Sequence, residues 1–332
     1  MLAFLQQNLI PEIPLDDWTS SFVRYIQHVK VIDDFFDFVK DAIGGFVGGF
    51  EALLTAPPVL VMIALLVVIA YLLSGWRVAL FALLGFLLLV SLGLWEASML
   101  SLALVLASTV IALIIGVPLG ILAAKSRVFE AAARPTLDIM QTMPAFVYLV
   151  PMVVFLGLGA GPALVATVIF AAPPAVRLTL LGIRQVPKNT VEAAQAFGAT
   201  PWQTLRKVEL PQALPTIMAG VNQVIMLALS MVVIAALVGA GGLGETVVRG
   251  LSQLDVGRAF IGGVGIVIIA IYLDRVTRNL GRRPSGRKRK RGISKLLPRT
   301  KGRPDPQADD AEGDAEADTE VGVGAGTGAG SR

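Results

Sequence analysis

The residues with the most ordered spacing in this chain lie in a polar stretch between two long apolar runs. Glutamate, alanine, glycine and proline recur there at fixed offsets over twenty positions. The ordered residues are Glu192, Ala193, Ala194, Gly198, Val208, Leu210 and Pro211. These residue types supply neither a nucleophile beside a base nor a set of metal ligands. The task that they suit is recognition by another protein.

The first half of this stretch has the signals of a short helix that ends at a glycine. Pro187 stops the helix before it, and Asn189 is placed to cap a new helix, with Glu192 three residues later. The Glu192 carboxylate would then lie near the positive end of the helix dipole. Gly198 suits the left-handed backbone conformation that closes a short helix. We therefore expect a helix followed by a glycine turn.

The second half of the stretch begins another helix. Thr200 is an N-cap residue, Pro201 follows at the first helical position, and Gln203 completes a capping box. Three apolar residues fall at helical spacing and are expected to share one face, namely Trp202, Leu205 and Val208. Glu192 to Pro211 is therefore predicted to form two short helices around a glycine turn, called the knob below.

Two other interpretations of the knob stay open. The spacing from Ala194 through Gly198 to Leu205 also fits a DNA-binding helix-turn-helix. Arg206 and Lys207 would then contact phosphates. Apolar segments close in on both sides and would hold such a helix against the bilayer, so nucleic acid is not an expected partner. A purely structural loop is the other alternative, and docking of a partner protein is the interpretation that we favour.

The composition is that of a membrane protein. Of the 332 residues, 55% are hydrophobic and 16% are charged, and the mean hydropathy is +0.73, values typical of a polytopic helical protein. The chain contains no cysteine, which excludes disulfides, thiolate catalysis and cysteine-based zinc sites. Its single histidine, His28, cannot build a multi-histidine metal site. We therefore predict no catalytic, metal-binding or cofactor-binding residue, and no enzyme.

Two patterns resemble nucleotide-binding motifs but lack their context. Gly239-x-Gly241-x-x-Gly244 matches the dinucleotide fingerprint, yet it follows a long apolar helix and no strand, so a turn at the outer end of a span is expected. Residues 120–126, GILAAKS, have Ala124 where a phosphate-binding loop requires glycine. No ATP site is expected on this chain. It also has no series of intramembrane acids or histidines to relay protons, which weighs against a proton-coupled secondary transporter.

The region before the membrane domain, residues 1–56, is predicted to be an extracytoplasmic segment. Apolar residues recur at intervals of three or four through 16–43 and predict an amphipathic helix that ends at Gly44-Gly45. This helix either lies along the membrane surface or packs in a small extramembrane subdomain.

The membrane domain is predicted to occupy residues 57–280, with the knob inside a cytoplasmic loop at 184–213. The apolar segments are 58–74, 77–95, 98–124, 137–158, 163–183, 214–239 and 259–276. Residues 281–332 are basic and then acidic, and we expect a disordered cytoplasmic tail. Arg287–Arg291 in that tail is a candidate contact for anionic lipids.

Basic residues in the short loops predict the orientation. They follow the third, fifth and seventh spans, and include Lys125, Arg127, Arg134, Arg184, Lys188, Arg206, Lys207, Arg275 and Arg278. An alternating path places all of them on one side, which must be the cytoplasm. With seven spans the N-terminus is then outside and the C-terminus is cytoplasmic.

Several residues inside the spans predict how the helices pack. Gly116-x-x-x-Gly120 permits close approach of a neighbouring helix. Four prolines interrupt helices at membrane depth and could line a pathway, namely Pro144, Pro151, Pro173 and Pro174. Arg177 is expected to reach the cytoplasmic interface, and Asp138 to pair with a basic loop residue.

The knob resembles the coupling loop of ABC-importer permeases, in which isoleucine takes the place of Val208. Further segments look like permeases of glycine betaine and proline importers, namely residues 140–157, 173–187, 215–244 and 262–275. The resemblance covers roughly residues 95–280. It implies an all-α membrane protein, a polytopic bundle of about seven transmembrane helices like that of type I ABC-importer permeases.

The same resemblance implies partners and a substrate class. The functional unit would contain two permease copies, two cytoplasmic ATPases that bind ATP, and an extracytoplasmic substrate-binding protein. Glu192, Ala193 and Gly198 would contact the ATPase. The solute would be glycine betaine, proline, choline or a related quaternary amine. A permease for methionine or a sulfonate is the alternative, followed by a secondary transporter or a membrane-anchored regulator.

Overall fold

The structure of the protein, a computed structural model, describes residues 30–280. Every regular element in that range is helical. The helices are α1 (Lys30–Thr55), α2 (Val59–Ser74), α3 (Trp76–Ser91), α4 (Trp95–Lys125), α5 (Arg127–Thr142), α6 (Ala145–Leu156), α7 (Ala160–Arg184), α8 (Lys188–Ala196), α9 (Pro201–Thr204), α10 (Leu210–Ala236), α11 (Gly242–Ser252) and α12 (Val256–Leu280), with a π-helical turn (Leu205–Glu209) between α9 and α10. His28, the start of the predicted amphipathic helix and the predicted tail lie outside the described residues.

The centre of the described bundle is the packing of α4 against α7. A methyl group on Gly116 would lie 2.6 Å from Cβ of Ala175, and one on Gly120 would lie 2.6 Å from Cβ of Thr179. Only glycine allows the two backbones to approach so closely, because any Cβ would displace the facing helix. The predicted close contact at these two glycines is confirmed.

The α2–α3 hairpin packs on α12. Phe86 of α3 is fully buried and meets Tyr272 of α12 edge to face, with ring centroids 5.1 Å apart. The Tyr272 hydroxyl donates a hydrogen bond to the Leu66 carbonyl at 3.1 Å, which satisfies the polar end of a buried ring. The last helix is therefore fixed against the hairpin.

The seven predicted apolar segments all form helices, but not all are straight spans. Among the described residues, four helices are long and apolar enough to cross a membrane alone, namely Trp95–Lys125, Ala160–Arg184, Pro201–Ala236 and Val256–Asn279. Two bent pairs bring the number to six if each is one span; Phe36–Thr55 meets α2 at 98° and α5 meets α6 at 94°. The predicted span 137–158 falls across the second pair, α5 and α6, and the helix is broken before Pro144. Helix α3 has only 16 residues, fewer than the about 20 that a bilayer requires.

The predicted end of the amphipathic helix is wrong. Helix α1 runs through Gly44 and Gly45 and continues to Thr55. Val47 and Leu54 beyond the glycines are buried, and burial of that face offsets the weakening of a helix by glycine. The Phe36 ring also stacks on Phe155 of α6, with centroids 4.7 Å apart.

The glycine pattern after α10 forms a turn, as predicted. Gly239, Gly241 and Gly242 have φ angles of +80°, +78° and +77°, a region that favours glycine. The N–H of Leu243, in the first turn of α11, donates to the Ser101 hydroxyl of α4 at 2.8 Å. A side chain from the bundle therefore holds the start of α11.

Candidate functional site

The knob begins on α8, which starts differently from the prediction. Pro187 occupies the N-cap position, with no side-chain cap, and its carbonyl accepts from the Thr190 N–H at 3.0 Å. The Asn189 side chain accepts from the neighbouring Thr190 N–H at 2.9 Å. The predicted Asn189 cap is therefore wrong, because Pro187 places Asn189 inside the first helical turn.

The glycine turn of the knob has the predicted conformation. Gly198 has a φ of +81°, and its N–H donates to the Gln195 carbonyl at 2.9 Å. The Ala199 N–H donates to the Ala194 carbonyl at 3.1 Å. This pair of bonds is the Schellman arrangement, which satisfies the last carbonyls of a helix and requires a left-handed residue.

The second helix of the knob starts as predicted but does not stop. The Thr200 hydroxyl accepts from the Gln203 N–H at 3.3 Å, and the Gln203 side chain accepts from the Thr200 N–H at 2.9 Å. After Thr204 the chain passes through the π-helical turn into α10, as one helix from Pro201 to Ala236. The knob is therefore continuous with a membrane-length helix.

The π-helical turn changes which side chains face inward. Leu205 and Glu209 are buried, whereas Trp202 is exposed and Val208 is half-buried. The predicted shared face of Trp202, Leu205 and Val208 is therefore wrong. The wider turn brings residues five apart onto one side, here the buried Thr204 and Glu209. It also gives room to the Pro211 ring, which would crowd the carbonyl four residues earlier in an α-helix.

The outer surface of the knob is open. Glu192, Ala193 and Gly198 are exposed, and Ala194, Leu210 and Pro211 are half-buried. A methyl group on Gly198 would meet nothing within 4 Å. Among the described residues Glu192 has no ion-pair partner within 4.0 Å. The predicted contact residues are therefore all exposed or half-buried.

Two large aromatic side chains extend this surface. Phe197 is 94% exposed and Trp202 is 66% exposed, on either side of Gly198. Our sequence reasoning did not single out Phe197. The signal was present, because a phenylalanine beside the glycine of a polar loop has no helix face to fill. Aromatic residues are enriched at protein-protein interfaces relative to the rest of the surface.

The inner side of the knob is anchored on the ends of three long helices. Leu205 packs in a buried apolar cluster with Ile183 of α7 and with Ala213 and Ile217 of α10. Partly buried residues of α4, including Ile121, cover the same cluster. The knob is therefore packed against the bundle, and only its outer surface is free.

An ion pair joins the knob to α4. The Lys125 ammonium donates to both carboxylate oxygens of Glu209, at 2.8 and 2.5 Å. The Glu209 side chain is 8% exposed and the Lys125 side chain is 43% exposed. Sequence reasoning placed Lys125 only as a marker of orientation, because its partner lies in a turn that the sequence does not predict.

A second set of charges lies where α7 ends. The Glu130 carboxylate of α5 is buried and accepts from Arg184 of α7 and from Arg134 of its own helix. Burial alone raises the pKa of the Glu130 carboxyl, but the hydrogen bonds from Arg184 and Arg134 outweigh it and lower that pKa below its ordinary value. The carboxylate therefore stays charged and ties the polar start of α5 to the end of α7.

A third ion pair continues this polar face. Asp138 of α5 pairs with Arg177 of α7, so its partner is a residue of a span and not the loop residue that we expected. Both side chains line a cavity of about 220 Å³, together with Glu130 and Arg134. Among residues 30–280 no three acidic or histidine side chains converge as metal ligands would.

The four prolines occupy different environments. Pro144 precedes α6 at the 94° bend, and Pro151 lies within α6; both are exposed. Pro173 and Pro174 are inside α7 and are buried in the bundle. The predicted role of these prolines along a pathway stays a prediction.

Comparison with known families gives one match that includes the knob. Residues 116–286 match the family described as binding-protein-dependent transport system inner membrane component. The glycine betaine/proline betaine transport system permease protein ProW of Escherichia coli (strain K12) is 48% identical over 271 residues, 81% of this chain and 76% of that one. The glycine betaine/carnitine transport permease protein GbuB of Listeria monocytogenes serotype 1/2a (strain 10403S) is 48% identical over 81% of this chain and 95% of its own.

A solved structure supports the fold over more than half of the chain. An inward-facing structure of the MetNI methionine ABC transporter contains a chain with a TM-score of 0.50 and 27% identity to this protein. The match covers 57% of this chain and 96% of that one. The matched part of the chain therefore shares its arrangement with a chain of an ABC transporter.

Proposed function

The chain belongs to the family of binding-protein-dependent transport system inner membrane components, and from that premise we propose that it is the transmembrane permease subunit of an ATP-driven importer of glycine betaine and related compatible solutes. The observation that carries this proposal is 48% identity, over 81% of the chain, to permeases that transport glycine betaine with proline betaine or carnitine. The chain is a multi-pass inner-membrane transport subunit, and the energy for transport comes from a partner.

The partner contact that we propose is the outer surface of the knob. Phe197 and Trp202 would fill apolar depressions of a cytoplasmic ATPase that binds ATP, and the unpaired Glu192 would meet a basic side chain of that subunit. Gly198 lies between the two aromatic residues in the sequence, in a left-handed turn that favours glycine. Aromatic anchors beside a charged residue are the composition expected of a protein-protein hot spot.

The path from the partner to the membrane follows from the inner contacts of the knob. A push on the outer surface would reach α10 directly, because the helix from Pro201 to Ala236 is continuous. It would reach α4 through the Lys125–Glu209 pair and through Leu205. The knob would therefore move the ends of several spans together when the ATPase closes.

The topology that fits this function places the knob in the cytoplasm. The basic residues that follow α4, α7 and α12 support this orientation, with the N-terminus outside and the C-terminus inside. A second permease copy would complete the pathway, and a soluble binding protein would deliver the solute from the outside.

Uptake of labelled glycine betaine tests the whole proposal. Cells would express this chain with its candidate ATPase and binding protein, and Gly198→Asp would be run in parallel. We expect ATP-dependent uptake by the natural chain and loss of uptake in the variant, with the variant still present in the membrane. Uptake that persists in Gly198→Asp would contradict the role of the knob.

Copurification of the ATPase separates the role of the permease from the choice of solute. If the ATPase copurifies with the chain but not with Gly198→Asp, and no betaine is taken up, the substrate is wrong and the permease function stands. Absence of ATPase from both samples would contradict the permease function itself.

A further inference from the structure

A cavity outside the knob lies between the α2–α3 turn and the last turns of α12. It measures about 490 Å³ and carries three arginine side chains, Arg77, Arg275 and Arg278. The Ser74 hydroxyl donates to the Arg275 carbonyl at 2.7 Å, so the hairpin turn is fastened to α12 beside it. We call this cavity the arginine pocket.

The positive charge of the arginine pocket is only partly compensated. Arg278 donates through Nε to Asp274 at 2.8 Å, and Asp274 also accepts from Asn222 of α10 at 3.2 Å. Arg77 and Arg275 form no ion pair with a carboxylate of the described residues. At least two guanidinium groups therefore face the same space without an acidic partner.

Guanidinium groups in this arrangement suit a phosphate. Each group offers several N–H donors in a planar fork that matches phosphate oxygens better than an ammonium group does. Repulsion between neighbouring guanidinium groups is relieved when an anion lies between them. The chemistry of the pocket therefore points to a phosphate-bearing ligand and not to a neutral solute.

The surroundings of the arginine pocket are those of a membrane interface. Trp76 is 64% exposed in the hairpin turn, and the Arg77 guanidinium lies 5.7 Å from its ring centroid. Tryptophan and arginine side by side are typical of the headgroup level. Leu72 and Leu80 on the adjoining turns are exposed and offer an apolar surface to acyl chains. The same end of α12 carries the basic residues that indicate the cytoplasmic leaflet.

We propose that the arginine pocket binds the headgroup phosphate of an anionic phospholipid of the cytoplasmic leaflet, with the acyl chains along the exposed surface of α2 and α3. Basic pockets between transmembrane helices on that side bind anionic lipids by this chemistry. The site is separate from the knob and does not depend on which solute is transported. A bound lipid would hold the hairpin and α12 together.

Quenching of Trp76 fluorescence tests this site locally. The full-length protein would be placed in phosphatidylcholine nanodiscs containing a small fraction of brominated phosphatidylglycerol, or of brominated phosphatidylcholine. Subtracting the same measurements on Trp76→Phe isolates the Trp76 signal. We expect half-maximal quenching at a roughly thirtyfold lower fraction of the anionic lipid, from the attraction of two guanidinium groups. Equal quenching by both lipids would overturn the proposal.

Variants show whether the arginines cause the preference. Arg77→Gln combined with Arg275→Gln should remove the preference for the anionic lipid. The double lysine variant should keep part of this preference, because it retains the charge but loses the planar guanidinium group. Arg258→Gln, the same change near the other end of α12, is the matched control and should leave the preference intact. A preference that survives the double glutamine variant would refute the site.

Soluble phosphate separates the two possible sources of the ligand. Excess inorganic phosphate, compared with chloride at the same ionic strength, should leave the quenching unchanged if the acyl chains contribute to binding. Loss of quenching in phosphate but not in chloride would show that the arginine pocket binds a free anion, and it would overturn the proposal of a lipid ligand.

Discussion

Lys125 at the end of α4 and Glu209 in the π-helical turn are separated by 84 residues and form an ion pair at 2.5 Å. Glu209 is held in the buried position by that turn, and Lys125 is the last residue of a helix that crosses the bundle. The pair therefore joins the segment proposed to contact the partner to a span that is distant from it in the sequence.

Breaking the Lys125–Glu209 pair should lower the stability of the protein. In Lys125→Met the Glu209 carboxylate loses its partner in a buried position, so we expect the free energy of unfolding to fall by about 1–3 kcal/mol. The partial exposure of Lys125 places the effect at the lower end of this range. Thermal unfolding of the purified chain, followed by fluorescence, measures this loss. The charge-swapped pair, Lys125→Glu with Glu209→Lys, should recover a part of it. A swap as unstable as the sum of its single changes would rule out a direct interaction.

Shortening the two aromatic side chains of the knob should affect binding and not stability. Phe197→Ala and Trp202→Ala remove exposed side chains, so the melting temperature should stay within error. Affinity for the ATPase should fall by about tenfold or more for each change, as expected for hot-spot aromatics. Surface plasmon resonance with the detergent-purified chain measures this affinity. Leu251→Ala, another exposed large residue but in α11, is the control. A fall of equal size in that control would contradict the assignment of the surface.

Filling the contact between α4 and α7 should destabilise the bundle. In Gly120→Ala the new Cβ would lie 2.6 Å from Cβ of Thr179 and 2.7 Å from the Val176 carbonyl oxygen. Because the second neighbour is a backbone atom, α4 and α7 must move apart. We expect the free energy of unfolding to fall by about 1–3 kcal/mol. Gly161→Ala, in α7, meets nothing within 4 Å and should be neutral or slightly stabilising. The melting temperatures of the two variants test this prediction. Equal values would contradict the close packing of α4 against α7.

Single cysteines can test the orientation, since the natural sequence has none. Gln195→Cys lies in the knob and Ser252→Cys at the end of α11, and both positions are exposed. A membrane-impermeant maleimide should label Ser252→Cys in intact cells, and Gln195→Cys only after the membrane is opened. Labelling of both in intact cells, or the reverse pattern, would contradict a cytoplasmic knob.

Local signals in the sequence were sufficient for part of the site. The Thr200 capping box and the left-handed Gly198 depend on neighbouring residues alone, and both were predicted. Gly116 and Gly120 were also informative, because small residues four apart in an apolar helix have few other uses.

Features that depend on distant residues were not predictable. The buried Glu209 of the π-helical turn pairs with a lysine 84 residues away, and no local pattern indicates that contact. The continuation of α1 past Gly44 depends on burial of Val47, which overrides the weak helix propensity of glycine.

The continuity of the Pro201–Ala236 helix has a mechanical consequence. At 1.5 Å per residue it forms a single rod about 50 Å long, with one end in the knob and the other beside the Gly239 turn. The π-helical turn lies at the buried cluster around Leu205 and Ala213, so the rod is held there and tilts about that point. Since that point is near the knob, the lever arm on the far side is the longer one. A displacement of about one ångström at Trp202 would thus become several ångströms at the opposite end of the helix.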